Sequence, residues 1–279
     1  THALGRIFDI LGGLLGQKTP EFLNAAGFSS SPHLFYSGLD AKGEWFQLFQ
    51  IGFGGIPGRP MGDGPDGHSL WPGFTNVPNE FLERYFPLMI ENYETVPDSG
   101  GAGLHRGGNG INMTYRFLAD GTISVHDDRW FVPPWGVNGG EPGARARKII
   151  EKPDGTRIII GNKVDAYPVE ADDLLHFITW GGGGWGDPLE RAPELVGEEI
   201  TQGLVTAEGA KTYGVIASDN GDVDAAATEA LREKLRTERP PLGLFNYGPD
   251  IETLRANCEA ETGLPAPVQP VWQTLQAAE

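Results

Sequence analysis

Two carboxylates and an imidazole stand within one short glycine-containing segment, at Asp63, Asp66 and His68. If a turn brings the three side chains together, they could bind a metal ion or transfer protons as general acid and base. The same segment also fits an ordinary polar turn, because Asp and Gly both favour turn conformations. The sequence leaves both interpretations open, a chemical site and a structural bend.

That segment belongs to a longer run, from Gly52 to Gly110, in which glycine, proline and polar residues accumulate. Glycine at this density lets the backbone approach something closely or adopt a positive φ, so we expect the run to form a site or its wall. Residues 98–103 and 106–108 could hold an anion on successive backbone N–H groups, with His105 or Arg106 as the charged partner. The chain contains no P-loop motif. ATP, if the reaction uses it, is therefore expected on another chain.

A second candidate is the segment from His126 to Trp130, where a predicted strand ends in a histidine, two aspartates and an arginine. His126 and Asp128 could form a histidine–carboxylate pair beside Arg129. The same residues could equally make an internal ion pair at the end of a strand.

Two further features are interpreted as structural. His176 lies in an apolar strand and is predicted to be a core histidine with satisfied hydrogen bonds. The glycine run 181–184 before Trp185 is predicted to form a tight loop after a strand, fixed by the tryptophan. Neither feature is expected to take part in chemistry.

The composition limits the possible partners and the location. The 279 residues include 38 acidic and 21 basic ones, for a net charge of −17, and the basic residues are scattered rather than clustered. This excludes the basic patch that nucleic acid requires, and no apolar run approaches the ~20 residues that cross a bilayer. Cys258 is the single cysteine and cannot form an internal disulfide, which is typical of a protein in a reducing compartment. From the charge, the hydropathy and the cysteine count together we expect a cytoplasmic protein with no nucleic-acid or membrane partner.

The first residue is Thr1 rather than Met. Removal of an initiator, or trimming of the chain, is the simpler explanation. An N-terminal threonine can also act as a nucleophile, but nothing else in the sequence supports that alternative.

Hydrophobic periodicity predicts an α+β protein with a mainly β central region. Apolar residues at helical spacing predict an amphipathic helix over residues 3–17, and β signals dominate 32–51 and 112–180. The pairs Asp120-Gly121 and Asp154-Gly155 are predicted hairpin turns. Three helices are predicted at 193–202, 207–213 and 223–238, the last with Asp222 as its N-cap, followed by an arm with a short helix near 251–261.

Six spaced motifs together resemble the hydantoinase B/oxoprolinase family. They lie in order between about residues 3 and 236, at 54–69, 76–80, 98–108, 134–140, 181–191 and 203–215. Residues 76–83 and 126–130 are most similar to the acetophenone carboxylase branch of that family.

The resemblance implies an ATP-dependent enzyme complex. Such proteins work with a hydantoinase A-like subunit that binds ATP and Mg²⁺ in an actin-like fold. The complex phosphorylates a carbonyl or enolate oxygen, and the activated species is then hydrolysed, as in hydantoin, oxoproline or lactam opening, or carboxylated with bicarbonate. Family members are about twice this length. The resemblance therefore implies that this chain is the C-terminal half of a B-type subunit, and that a divalent metal, Zn or Mn, lies mainly on a separate N-terminal half.

These considerations give four expected parts of the chain and a set of candidate residues. The parts are a helix and β entry segment that packs on a partner or the N-terminal half (1–51), a glycine-rich β domain with the site loops (52–190), a helical segment (191–239) and a C-terminal arm (240–279). The candidate catalytic residues are Asp63, His68, Arg106 and Arg129, the candidate substrate-binding residues are Asp66, Asn79, His105, His126 and Asp128, and no metal ligand is assigned to this chain. The alternative function is a non-catalytic scaffold whose glycine loops merely pack.

Overall fold

The computed structural model describes residues 2–27, 32–69 and 75–268. Thr1, on which the nucleophile alternative depends, and residues 269–279 of the predicted arm lie outside the described residues. The chain begins with helix α1, His2–Gly16, which confirms the first predicted helix. In the described residues no helix has both the length and the apolar character needed to cross a bilayer.

Two antiparallel sheets form the centre of the protein and confirm the α+β prediction. The first has the order β2–β1–β5–β9, with β1 at His33–Leu39, β2 at Trp45–Ile51, β5 at Gly121–His126 and β9 at Lys163–Val169. The second has the order β3–β4–β10–β7–β8, with β3 at Leu88–Thr95, β4 at Ile111–Phe117, β7 at Arg147–Glu151, β8 at Arg157–Ile160 and β10 at Leu174–Ile178.

The main hydrophobic core lies between the two sheets. Alternate residues of the strands are buried, as in β1 and β5, because side chains in a strand point to opposite faces in turn. The ring of Tyr36 from the first sheet packs 4.7 Å from the ring of Phe117 in the second. The Tyr36 hydroxyl donates to the Ala119 carbonyl at 2.7 Å, and burial raises the pKa of this phenol to about 12. The sheets are therefore joined by large, fully buried aromatic side chains.

The two predicted Asp-Gly turns have different outcomes. Asp154-Gly155 does connect the paired strands β7 and β8, and Gly155 has a φ of 84°, so this hairpin is confirmed. The prediction of a hairpin at Asp120-Gly121 is wrong, because the flanking strands β4 and β5 belong to different sheets. Gly121 is needed for another reason: a Cβ there would lie 2.5 Å from the carbonyl oxygen of Ser37 on the neighbouring strand.

The glycine-rich segments pack on one another at one end of the second sheet. We call residues 54–58, 63–67, 99–110, 134–146 and 181–186 the glycine layer. Residues 54–58 follow β2, residues 99–110 connect β3 to β4, residues 134–146 precede β7, and residues 181–186 follow β10. The corresponding strand ends all lie at this end of the two sheets. Backbone hydrogen bonds join the segments, for example Gly182 N to Gly108 O at 2.8 Å and Gly101 N to Gly182 O at 2.7 Å.

Close approach of backbones, rather than unusual φ, explains most of these glycines. A Cβ on Gly181 would lie 1.7 Å from the Ser99 oxygen, and one on Gly182 would lie 2.2 Å from the Ile56 oxygen. Neither glycine has a positive φ. Any side chain at these positions would force neighbouring backbone apart, which is a cost that only glycine avoids.

The helices flank this framework. Helix α2 spans Asn79–Tyr85, α3 spans Pro193–Thr201, α4 spans Ala225–Glu238 and α5 spans Ile251–Thr262. Two short strands pair with each other, β6 at Gly136–Val137 within the glycine layer and β11 at Phe245–Asn246 beside it.

Two helix predictions need correction. The helix predicted at 207–213 is only a 3₁₀ turn, Gly209–Tyr213. The N-cap of α4 is Asp224, whose side chain accepts from Ala227 N, and not Asp222. The helix starts later because Val223 still pairs with Ala217 in a β-bridge.

The single cysteine, Cys258, is buried in α5.

Candidate functional site

Five charged side chains from three parts of the chain meet beside the glycine layer, and we call them the ion-pair network. Arg106 donates to Asp66 from Nη1 at 2.7 Å and Nη2 at 3.1 Å, and from Nε to Glu199 at 2.9 Å. Arg191 donates to both oxygens of Asp63, at 2.9 and 2.6 Å, and also to Glu199. The network ties two glycine loops to helix α3.

Most of the ion-pair network is inaccessible to solvent. Arg106, Arg191 and Glu199 are 4%, 1% and 4% exposed. Burial opposes charge on both guanidinium groups, but the hydrogen bonds and charges of Asp66, Asp63 and Glu199 outweigh it and raise the pKa of each arginine. Burial likewise favours neutral Asp63, yet Arg191 and the Arg106 backbone hold the pKa of this carboxyl below its usual value.

Sequence reasoning named Asp63, Asp66 and Arg106 as candidate residues but missed Arg191 and Glu199. Arg191 ends the motif at 181–191, so the motif pointed to it without giving it a role. Glu199 stands in a predicted helix, and nothing in its spacing indicated that it would face two arginines.

The donor groups of this region do not fit a metal ion or a backbone anion site. Asp63 and Asp66 already face guanidinium groups, and no three His, Cys, Asp or Glu side chains of the described ranges lie close enough to hold a metal. The expected anion cradle is also contradicted. The N–H groups of Gly100, Gly107 and Gly108 donate to Asn109 Oδ1, Gly101 O and Ile56 O, and those of Asn109 and Gly110 donate to Asp66 and Ser99 side chains.

His105 lies at the edge of the ion-pair network. Its Nδ1 is 3.8 Å from Asp63 Oδ1, and its ring lies 5.6 Å from the ring of Trp185. The Trp185 indole donates to the Leu23 carbonyl at 2.8 Å, which confirms that the tryptophan fixes the glycine loop before it. Asp63 remains 34% exposed in its side chain, so solvent reaches the network on the side of Asp63 and His105.

His68 and Asn79 lie apart from these arginines. The backbone of His68 pairs with Gly54, and its exposed side chain borders a small cavity of about 120 Å³ together with Phe53 and Asn76. Asn79 is the first residue of α2 and is half-buried. The structure thus does not bring Asp63, Asp66 and His68 together as one ligand set.

A second charged cluster lies beneath α1. Arg129, at a φ of 57°, donates to Asp9 at 2.6 Å and stacks 4.9 Å from the Trp135 ring. Arg6 also contacts Asp9, at 2.8 Å, and lies 3.4 Å from Asp128. Burial, with the nearby charge of Arg6, lowers the pKa of Arg129 to about 10 against the effect of Asp9. This cluster holds the helix on the protein.

The anchored face of α1 is the charged one, and its apolar residues face outward. Ile7, Ile10, Leu11, Leu14 and Leu15 are 49–69% exposed. An amphipathic helix on a globular protein ordinarily turns its apolar side to the core. The reversed orientation leaves a broad apolar surface on this helix.

His126 does not pair with Asp128. Its Nε2 lies 3.0 Å from Asp165 on the neighbouring strand β9, and its ring packs near Phe35.

The other interpretation of this segment, an internal ion pair at the end of a strand, is observed at Asp127. Lys148 donates to that carboxylate and to the Ile178 carbonyl, and both side chains of the pair are fully buried. Burial raises the pKa of Asp127 and lowers that of Lys148.

His176 has the structural role that the sequence predicted. Its ring nitrogens lie 3.1 Å from Thr114 Oγ1 and 3.1 Å from Glu151 Oε2 on the two neighbouring strands. Both nitrogens are therefore satisfied within the sheet.

Comparison with known proteins identifies the family to which the chain belongs. The chain is 30% identical over 231 residues to the putative B-type subunit of a D-/L-hydantoinase from Pseudomonas sp. strain NS671, covering 81% of this chain and 38% of that protein. Its fold is similar to a nucleotide-free acetone carboxylase structure (TM-score 0.65, 23% identity, 81% of this chain, 36% of the other). It is also similar to the ATP-dependent caprolactamase of Pseudomonas jessenii (TM-score 0.65, 24% identity, 78% and 40%).

The chain thus spans well under half of the length of these relatives. The sequence profile of the hydantoinase B/oxoprolinase family matches residues 1–188, which include both sheets, the glycine layer and every candidate residue. This confirms the resemblance seen in the motifs, and the chain belongs to the hydantoinase B/oxoprolinase family.

Proposed function

We propose that this chain is one subunit of an ATP-dependent complex that either hydrolyses a cyclic amide or carboxylates a ketone. The complex transfers a phosphoryl group from ATP to a carbonyl or enolate oxygen. Water then opens the amide, or bicarbonate supplies the new carboxyl group, and phosphate leaves. The observation that carries the proposal is the 30% identity to the putative B-type subunit of a hydantoinase over 81% of this chain.

The partners in this proposal are a hydantoinase A-like subunit that binds ATP and Mg²⁺, and the N-terminal half of the B-type subunit. The divalent metal, Zn or Mn, belongs to that second partner, and the complex is cytoplasmic. Supporting this division, Asp63 and Asp66 pair with arginines rather than presenting a metal site. The outward apolar residues of α1 are the proposed contact with the N-terminal half, because burying them removes apolar surface from water.

The proposed catalytic residues differ in their access to a substrate. His68 is exposed and Asp63 keeps part of its surface, so both can reach a bound molecule. Arg106 and Arg129 are enclosed by Asp66, Glu199 and Asp9, and any effect they have on the reaction passes through the loops that they hold. The substrate-binding roles of Asp66, Asn79, His105, His126 and Asp128 remain part of the proposal.

One observation favours the alternative of a non-catalytic scaffold. Most N–H groups of the glycine loops, and the guanidinium of Arg106, donate to acceptors within the chain itself. A subunit that only positions other chains would likewise have its hydrogen-bond donors paired within its own chain.

The test begins with the purified native complex. ATP hydrolysis is measured with cyclic amides and with aromatic ketones, each with and without bicarbonate. Turnover of amides without bicarbonate supports a hydrolase, and bicarbonate-dependent turnover of ketones supports a carboxylase. An intact complex whose ATP hydrolysis responds to no substrate would contradict the proposal.

A second experiment separates catalysis from scaffolding. His68→Ala and Asp63→Asn are compared within the assembled complex, and size-exclusion chromatography checks assembly. The catalytic proposal expects kcat to fall for at least one variant while assembly is normal. If both variants assemble and keep full turnover, the scaffold alternative stands.

A further inference from the structure

A cavity of about 550 Å³ lies between the 3₁₀ turn Pro188–Glu190 and the segment 239–248. Small-molecule sites usually have volumes of about 300–1,000 Å³, mostly apolar walls and a few polar groups. Leu189, Leu235 and three prolines supply the apolar wall here. The rings of Phe245 and Tyr247 stack at 5.6 Å and 14° on one side. The cavity is distinct from the ion-pair network.

Glu141 supplies a carboxylate that no cation balances. It lines this cavity and a neighbouring one of about 230 Å³. Its Oε2 accepts a hydrogen bond from Asn246 Nδ2 at 2.9 Å, and within the described part of the chain no Lys, Arg or His pairs with it. The buried carboxylates Asp127, Asp173 and Glu199, by contrast, each face a lysine or an arginine.

The arginine in the lining is already neutralised. Arg239 borders the cavity, but its two terminal nitrogens donate to both oxygens of Asp187, at 2.6 and 2.5 Å. Paired guanidinium and carboxylate forks of this kind are among the strong charged contacts. The cavity therefore presents one net negative charge, at Glu141.

The position of Glu141 is rigid. Its N–H donates to the Ala102 carbonyl at 2.7 Å, and its own carbonyl accepts from Gly184 at 2.8 Å, so the residue is part of the glycine layer. A charged group on a fixed backbone can bind a ligand without first being ordered.

We propose that this cavity binds a small organic ammonium compound, whose N–H groups donate to Glu141 while its carbon skeleton packs on Phe245 and Tyr247. An aromatic face within about 6 Å of a cation adds attraction. The net charge of −17 raises the local concentration of cations around the protein. Burial raises the pKa of the Glu141 carboxyl, as expected for a carboxylate that lacks a countercharge. The proposal does not depend on the proposed function, because binding is measured without turnover.

Three probes of matched size test the proposal by titration calorimetry on the full chain: benzylammonium, benzyl alcohol and benzoate. We expect benzylammonium to bind, and benzyl alcohol to bind at least about tenfold more weakly, since a charged hydrogen bond is lost. Benzoate should not bind. Equal or tighter binding of the alcohol or of benzoate would overturn the proposal, as would no binding of benzylammonium at about 10 mM, because Kd would then exceed the millimolar range.

Variants locate the binding. Glu141→Gln keeps an acceptor for Asn246 and should weaken benzylammonium binding about tenfold. Tyr247→Leu, at an exposed position, should weaken it about two- to fivefold through loss of the aromatic face. Glu190→Gln is the matched control, because Glu190 lies in the adjoining turn, pairs with Arg236 and is not part of the lining. Thermal unfolding verifies that the variants fold, and wild-type affinity in Glu141→Gln would refute the assignment.

Discussion

Arg191 donates from its two terminal nitrogens to the two carboxylate oxygens of Asp63, at 2.9 and 2.6 Å, across 128 positions of sequence. The same guanidinium also contacts Glu199, so one side chain joins a glycine loop, the turn after the second sheet and helix α3. Asp63 is therefore first of all a structural carboxylate, and any chemistry it performs must occur while it holds Arg191.

Arg191→Ala should strongly destabilise the fold. The substitution leaves Glu199 buried and Asp63 half-buried with fewer countercharges, and breaking a buried pair of this kind costs about 3–5 kcal/mol. Urea unfolding followed by circular dichroism measures the change. Arg255→Ala removes an exposed pair with Glu252 on α5 and serves as control, with an expected change within about 0.5 kcal/mol. Equal effects of the two substitutions would contradict the role given to Arg191.

The stabilising effect of Asp63 should depend on pH. Its pKa in the folded protein lies below the ordinary value of an aspartate, so its contribution is present above about pH 4 and is lost as the pH falls through the folded-state pKa. The difference in Tm between wild type and Asp63→Asn should therefore be largest near neutral pH and shrink in acid. A difference that stays constant down to pH values near 2 would show that folding does not lower the pKa of Asp63.

Glycine at position 182 should resist substitution. A Cβ there would lie 2.2 Å from the Ile56 carbonyl oxygen, and backbone at both sides must shift to accept it. We expect Gly182→Ala to cost at least about 3 kcal/mol, at the upper end of overpacking effects. Gly161→Ala is the control, because its Cβ meets only a Leu264 side-chain carbon at 3.6 Å. A well-folded Gly182→Ala protein with unchanged Tm would refute the close-packed layer.

The buried pair of Lys148 and Asp127 should show strong coupling. Lys148→Met leaves Asp127 without its cation inside the core, and we expect a loss of about 3–5 kcal/mol. The double variant Lys148→Met/Asp127→Leu removes both charges and should recover most of that loss. Chemical denaturation of wild type, Lys148→Met, Asp127→Leu and the double variant gives the coupling free energy. Additive effects would show that the two groups act independently.

The reversed orientation of α1 predicts which of its residues stabilise the isolated chain. Asp9→Asn leaves Arg129 buried without its main countercharge and should cost about 3 kcal/mol. Hydrogen exchange of the α1 amides should become faster at the same time. Leu14→Gln, at an exposed position of the same helix, should change stability by less than about 0.5 kcal/mol. If Leu14→Gln were the more harmful change, the apolar face would have to be the packed one.

Local sequence signals predict the right elements where one segment determines its own structure. The apolar spacing of residues 3–17 predicted α1, and Asp154-Gly155 predicted a real hairpin, because the short turn between β7 and β8 closes without help from elsewhere. The same dipeptide at Asp120-Gly121 failed, since the strands on either side find partners in different sheets. Strand pairing is a non-local choice that a turn motif alone does not contain.

The same limit applies to the candidate site: local sequence signals identify some of its residues but not the distant residues that pair with them. Asp63, Asp66 and Arg106 were found because all three stand in the run from Gly52 to Gly110, where glycine, proline and polar residues accumulate. Their partners Arg191 and Glu199 were not, because only the folded chain brings α3 to the glycine loops. The density of glycine correctly predicts close approach, but what approaches these glycines is other backbone rather than a bound anion.

The glycine layer also has a consequence for how the protein folds. Its segments span residues 54 to 186, and each one is held by hydrogen bonds to others far away in the chain. Glycine gives up more conformational freedom on ordering than any other residue, so a single segment gains too little by itself to stay ordered. Contacts between distant residues also form slowly, because long loops must close first. During synthesis residues 54–110 therefore cannot complete their hydrogen bonds to 181–186 until Gly186 has left the ribosome, and we expect the whole layer to order in one late, cooperative step.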